Sequence, residues 1–128
     1  MLTFFRSRLN SFQHAFRGWW YVLRTQQNAW IHALIATLVF FLGIWLQLSA
    51  RDWAVIILTI TMVFAAELIN TAIEAVVDLA SPEKHPLAKV GKDVGAAAVL
   101  IAAGAAVVIG LLILGPPLLE KLKMFINH

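Results

Sequence analysis

Apolar positions near the start of the chain recur at helical spacing. Phe5, Leu9, Phe12, Phe16, Trp19, Trp20 and Leu23 fall on one face, and Arg6, Arg17 and Arg24 cluster beside it with Asn10, Gln13 and His14. A helix that is aromatic on one side and arginine-rich on the other is expected to lie in the plane of a membrane interface. Residues 1–28 are therefore predicted as an amphipathic surface helix, and they lack the compact apolar core and small-residue cleavage site of a signal peptide. From Trp30 to Leu48 the pattern becomes almost continuously apolar, broken only by His32, Thr37 and Gln47. About 20 such residues suffice to cross about 30 Å of hydrocarbon. Trp30, Trp45 and Trp53 stand near the ends of this span and the start of the next, where indoles favour the interface. Ser49-Ala50-Arg51-Asp52 allows only a tight turn, so a second span over residues 52–79 returns antiparallel. Ser81-Pro82-Glu83-Lys84-His85-Pro86 breaks the helix. A third span covers residues 87–114, and Gly115-Pro116-Pro117 is expected to stop it, leaving Leu118 to His128 as a short frayed tail. Ala98, Ala102, Ala106 and Gly110 recur at four-residue steps in this span, a spacing that lets helix backbones approach closely in lipid.

The second span departs from its apolar surroundings over A-E-L-I-N-T-A-I-E-A-V-V-D, residues 66–78. At about 100° per residue, Glu67, Asn70, Glu74 and Asp78 share one stripe of the helix. A carboxylate near mid-bilayer costs roughly 2.5 to 3.5 kcal/mol on insertion scales, so such a stripe marks a shielded or wet functional site. The bland reading is interhelical hydrogen bonding that only holds the bundle together.

Composition agrees with a single small all-α integral membrane domain. Of the 128 residues, 61% are hydrophobic and 13% charged, with a mean hydropathy of +0.82. The absence of cysteine excludes disulfides and thiolate metal sites. The net charge of +3 is uneven rather than large, and nothing resembles a nucleic-acid module. Arg6, Arg8, Arg17, Arg24, Lys84, Lys89 and Lys92 fall on one side of the predicted membrane; Arg51, Lys121 and Lys123 fall on the other. That asymmetry predicts a cytoplasmic amino terminus and 80s loop, with the acidic stripe in the cytoplasmic half of the membrane.

Glu67 and Glu74 are hard oxygen donors of the kind that hold Mg²⁺ together with water and phosphate oxygens. Asn70 can orient a donor or acceptor between them. Lys92 and the start of the third helix add positive charge and backbone N–H groups suited to phosphate. Phosphoryl transfer requires little more than positioning, charge neutralisation and a base near a hydroxyl. Gly91-Lys92 is too short to be a P-loop, so a kinase here would be of another kind.

The run E-L-I-N-T-A-I-E-A-V-V-D from Glu67, with H-P-L-A-K-V-G-K-D-V-G-A-A-A-V-L from His85, resembles the prokaryotic diacylglycerol kinase and undecaprenol kinase family. The likeness extends back through Phe16-Arg17-Gly18 and Thr25-Gln26-Gln27-Asn28 and so covers nearly the whole chain. It implies a homotrimer of three-span subunits in the bacterial inner membrane, with active sites between neighbouring subunits at the cytoplasmic face. It further implies transfer of the γ-phosphate of ATP to a lipid alcohol, with Mg²⁺ as cofactor. Residue by residue, Glu67 would take the proton from the lipid hydroxyl and Asn70 would orient the reacting groups. Glu74 would hold the metal and, with Asp78, Lys92, Asp93 and Arg17, the nucleotide. Phe12 and Phe16 would join Glu67 and Asn70 in contacting the lipid. Two departures stand out: Gln26 replaces a glutamate that many members use as a second metal ligand, and Trp30 stands where arginine is common, two positions before the match to the family's histidine. Gln26 still offers a neutral oxygen, which predicts weaker Mg²⁺ binding. The N-T-A-I-E form and the H-P-L-A-K-x-x-K-D loop lean towards the undecaprenol branch.

Several of these residues have plainer readings. Asp78 and Lys92 could simply pair at the interface, Arg17 and Arg24 could meet anionic headgroups, and His32 reads as a hydrogen-bonded structural histidine. Two other functions fit the bare pattern: a small proton- or cation-coupled transporter, because intramembrane carboxylates also mark ion pathways, and a scaffold that oligomerises through the Ala/Gly face. Against the transporter, no second span carries a matching polar stripe for a through-path.

Overall fold

The computed structural model describes residues 1–127, apart from the side chains of residues 2–5. The chain is all-helical: α1 (Leu2–Thr25), α2 (Gln27–Leu46), α3 (Ala50–Ala80) and α4 (Pro86–Ile126). α2, α3 and α4 are each long and apolar enough to span a membrane. Large apolar side chains such as Leu34, Leu38, Phe41, Leu58, Ile101 and Leu111 are exposed around the bundle, as a protein solvated by lipid requires.

The joints between helices are short. α1 and α2 are separated by Gln26 alone, whose extended backbone (φ −104°, ψ 114°) turns the chain while its N–H still donates to Val22 O at 2.9 Å. The surface helix was expected to run on to residue 28; no proline or glycine marks this break. At the other end of α2, Gln47 adopts the left-handed conformation (φ 56°, ψ 48°), more usual for glycine. Ser49 and Asp52 then start α3 with a reciprocal capping box. The Asp52 N–H donates to Ser49 Oγ at 3.2 Å, and the Ser49 N–H donates to Asp52 Oδ2 at 3.3 Å. Pro86 opens α4 at a position where its missing N–H costs nothing, and His85 Nδ1 accepts from the Leu87 N–H at 3.2 Å.

α3 and α4 form the tightest antiparallel pair, packed through small residues. Gly91 lies against Val77, Gly95 against Asn70, and Val99 and Ala102 are buried between them. The expected small-residue stripe is thus shifted: Ala102 is buried, but Ala98 faces outward and a Cβ at Gly110 would meet nothing within 4 Å. α2 closes on α3 where Gly43 meets the Trp53 ring, with the Phe40 ring also tilted against Trp53 at 5.5 Å between centres. α1 docks through Val22, which is buried, and through Trp19, whose ring lies 5.0 Å from Phe64. Leu9, Phe12, Phe16 and Trp20, on the same helix, are exposed. Phe5, assigned to that face, lies outside the described side chains.

The carboxyl-terminal expectation is overturned. α4 does not stop at Gly115-Pro116-Pro117; it continues as helix to Ile126, and only His128 of the expected tail lies outside the described residues. The prolines leave the carbonyls of Leu112 and Ile113 without their usual helical donors, a real cost. The far segment is nevertheless tied to the bundle: Lys121 Nζ donates to Trp45 O at the end of α2 and stands 4.6 Å from the Trp45 ring centre. At 1.5 Å per residue α4 is about 60 Å long, roughly twice the hydrocarbon thickness, so its last turns must project beyond it.

Candidate functional site

α3 carries its polar stripe out of the core by degrees. Glu67 is 1% exposed and Asn70 7%; Glu74, one turn on, is half-buried, and Asp78, a further turn on, is exposed. The stripe predicted from spacing is therefore real, and its burial falls steadily towards one end of the bundle.

The inner part of the stripe opens into a cavity of about 350 Å³ lined by Gln26, Asn28, His32, Glu67, Asn70 and Glu74, with Ala96, Val99, Leu100 and Ala103 of α4 closing it. Glu74 is its best-held member. Asn70 Nδ2 donates to Glu74 Oε1 at 3.2 Å, and Gln26 Nε2 donates to Glu74 Oε2 at 3.4 Å. The joint between α1 and α2 is thus fastened to the acidic stripe by a side chain 48 positions away in sequence. Among the described residues, two buried side-chain atoms have no hydrogen-bond partner: Glu67 Oε2 and Asn70 Oδ1. Buried acceptors are nearly always satisfied, and those that are not commonly mark a ligand or a catalytic role. Below Glu67, Thr71 Oγ1 donates to the Glu67 carbonyl at 2.9 Å, which spends its hydroxyl within the helix.

Asn70 sits where it does because of Gly95. A Cβ at that position would overlap Asn70 Oδ1, so only glycine lets the amide reach into the cavity. Sequence reasoning noted the Gly/Ala character of this stretch without seeing that one glycine serves one site residue.

The outer part of the stripe borders a second, larger cleft of about 650 Å³. It is lined by Asp78 with the 81–86 loop and by Lys89, Lys92 and Asp93 of α4. Lys92 Nζ lies 2.8 Å from Asp78 Oδ1 in an exposed ion pair. This is the plain pairing that the sequence allowed, and it sits beside the cleft rather than in the inner cavity. The start of α4 offers fewer free N–H groups than expected, since Pro86 has none and that of Leu87 is bonded to His85. Arg17, Phe12 and Phe16 line neither cavity.

The inner cavity suits a hard divalent cation. Its donors are the carboxylates of Glu67 and Glu74 and the amide oxygens of Gln26, Asn28 and Asn70, and Asn70 Oδ1 is an orphan acceptor. Among the described residues no cluster of three or more acidic, His or Cys side chains is gathered. A cation would therefore take one or two carboxylates here and complete its shell from a ligand and water, which is the habit of Mg²⁺.

A bundle of three apolar helices long enough to span a membrane, with a buried carboxylate leading to a polar cleft at one end, defines an integral membrane protein. The family model for prokaryotic diacylglycerol kinase matches residues 13–114. The chain is 45% identical over 117 residues to an undecaprenol kinase of Bacillus subtilis, covering 88% of this chain and 95% of that one. It is 46% identical over 113 residues to a diacylglycerol kinase of Synechocystis, covering 88% of this chain and 65% of the relative. A diacylglycerol kinase of Escherichia coli is 44% identical over 64 residues, about half of each chain. The protein belongs to the prokaryotic diacylglycerol kinase family. It is a membrane kinase that phosphorylates a lipid alcohol.

Proposed function

We propose that the protein transfers the γ-phosphate of ATP to undecaprenol or diacylglycerol, giving undecaprenyl phosphate or phosphatidic acid. The observation that carries this reading is the graded stripe, in which a fully buried carboxylate with an unpartnered oxygen leads by about three turns to a polar cleft. A lipid hydroxyl arriving from the hydrocarbon side meets Glu67; a nucleotide arriving from water meets Asp78, Lys92 and Asp93. Undecaprenol is the favoured acceptor, because the undecaprenol kinase relative is matched over 95% of its length.

In the reaction, Glu67 accepts the proton of the lipid hydroxyl while that oxygen bonds the γ-phosphorus. The bond from the γ-phosphorus to the β–γ bridging oxygen breaks, and ADP leaves with the bridging oxygen. Asn70 holds the reacting groups in line. Glu74 and the Gln26 amide oxygen, after a turn of that amide, would hold Mg²⁺, whose role when bound is to neutralise the phosphate oxygens. Lys92 would leave Asp78 for the phosphates. The basic-residue asymmetry supports a cytoplasmic site in a bacterial inner membrane, with the amino terminus on the same side. A Glu74 carboxylate left half-buried within an apolar span supports assembly as a homotrimer in which a neighbouring subunit shields it.

The test is incubation of purified protein with Mg²⁺, labelled ATP and each lipid alcohol. Labelled lipid is expected, with undecaprenol the better acceptor. Glu67→Gln should lower kcat by about 10²- to 10⁴-fold, the usual range for a lost general base. An intact Glu67→Gln protein with unchanged turnover would remove that assignment, and no labelled lipid from the parent would remove the function.

A further inference from the structure

His32 is not accounted for by the roles above, yet its position is distinctive. It lies on α2 within an otherwise apolar run and borders two cavities at once. One is the polar site; the other is an apolar cavity of about 390 Å³ that continues between α2, α3 and α4 past Val39, Ile56 and Val107. Among the described residues, only His32 and Ala103 line both. The ring is held edge-on to Phe64, 6.4 Å between centres, and Phe64 is in turn held by Trp19 of α1.

Height along the bundle follows from two contacts. α2 and α3 run antiparallel, with Gln26 meeting Glu74 and His32 meeting Phe64. Glu67 lies one turn from Phe64 towards Glu74, which sets it between the levels of His32 and Asn28. Glu67 is also the residue whose buried Oε2 lacks a donor. The polar side chains that line this cavity supply few candidates. Gln26 Nε2 and Asn70 Nδ2 both donate to Glu74. Asn28, a turn nearer the aqueous end, is exposed, whereas His32 is half-buried. The imidazole is the remaining donor on the buried side of Glu67, since even a neutral ring keeps one N–H.

We propose that His32 is a positioning residue for Glu67: its ring N–H turns to Oε2, fixing the carboxylate so that Oε1 faces the incoming hydroxyl. This rests on the kinase reading, with Glu67 as base. The arrangement places the donor where an alcohol coming from the apolar cavity must pass it, so the carboxylate is oriented before the hydroxyl arrives.

The experiment uses the full-length protein and two variants: His32→Phe, which keeps a ring against Phe64 but has no donor, and His32→Gln, which keeps a donor. Kinetics with labelled ATP and undecaprenol are read beside the infrared carboxylate band of Glu67, identified by its loss in Glu67→Gln. His32→Phe is expected to lower kcat by about 10- to 100-fold, the range for losing a hydrogen bond to a charged group, with KM for ATP unchanged. The Glu67 band should shift in His32→Phe, and His32→Gln should restore both readouts most of the way. Wild-type kcat with an unmoved band in His32→Phe overturns the proposal. So does equal loss of activity in both variants with an unmoved band, which would make His32 a packing residue. If the parent protein forms no labelled lipid, the kinase reading fails instead, and the band alone still decides whether His32 holds Glu67.

Discussion

Gly95→Ala isolates the dependence of Asn70 on its neighbour helix. In an unobstructed helix, replacing glycine with alanine stabilises by about 0.5 to 1 kcal/mol through backbone entropy. Gly104 offers that reference, because a Cβ there would meet nothing within 4 Å. At Gly95 the added methyl overlaps Asn70 Oδ1, in a packed and buried interface. Overpacking of this kind costs about 1 to 3 kcal/mol. If Asn70 instead rotates away, its 3.2 Å bond to the Glu74 carboxylate is lost, at about 1.5 to 3 kcal/mol. Either way the sign reverses relative to Gly104→Ala, and net destabilisation of about 1 to 2 kcal/mol is expected. Displacing the amide, proposed to align the reacting groups, should also lower kcat by about 10- to 100-fold, at 1.36 kcal/mol per factor of ten. The stability assay is denaturation in detergent micelles; the activity assay is transfer of label from ATP to lipid. A double-mutant cycle with Asn70→Ala sharpens the result, because removing the amide also removes the obstruction. Gly95→Ala should be nearly harmless in that background, giving a coupling of about 1 to 3 kcal/mol. If Gly95→Ala behaves like Gly104→Ala in stability and turnover, Asn70 is not held by this contact and the reasoning fails.

Three further outcomes are expected. Gln26→Glu replaces a neutral amide that donates to Glu74 with a second carboxylate; it should lower the Mg²⁺ concentration for half-maximal activity, and an unchanged metal titration would take Gln26 out of the metal shell. Lys92→Met breaks an exposed, solvent-screened ion pair, so stability should barely move while KM for ATP rises; an unaltered KM would leave Lys92 as a topology residue. Gly43→Val pushes a side chain into the Trp53 ring, since even a Cβ would lie 2.9 Å from its nearest atom; thermal unfolding in detergent should fall by about 1 to 3 kcal/mol, accompanied by a change in Trp fluorescence. Normal stability in that variant would mean α2 can slide on α3 without loss.

What the sequence reveals about this protein follows how local each signal is. The three spans are legible because hydrophobicity over some 20 residues needs no knowledge of neighbours. The break at 81–85 is legible because Pro82 and Pro86 act within one turn. The joint at Gln26 is not, because Thr25-Gln26-Gln27 carries no local stop; the side chain bonds to Glu74 from the other side of the bundle. Pro116-Pro117 misleads for the converse reason. Its local cost is genuine, but the contacts of Lys121 with Trp45, 76 positions away, hold the continuation in place. Within the site, the α3 stripe could be read from spacing alone, while His32 and Gly95 acquire meaning only through the heights at which α2 and α4 pack against it.

The gradient of burial along α3 bears on why one helix suffices for two substrates that never share a solvent. From Glu67 to Asp78 is eleven residues, about 16 Å of rise, over which the environment passes from buried protein to water. Under the proposed reading, a lipid hydroxyl needs to rise only to the level of Glu67, and a nucleotide needs only its terminal phosphate to descend past Asp78 and Glu74. Neither substrate is fully transferred between phases. The cost is a carboxylate held out of water, several kcal/mol unless a donor reaches it. The orphaned oxygens of Glu67 and Asn70 show where that cost is concentrated. They lie at the depth where the two substrates would meet, and a bound hydroxyl or cation at that depth would relieve it. A Glu67 carboxylate serving only to join helices would instead find its partners within the bundle, as Glu74 does.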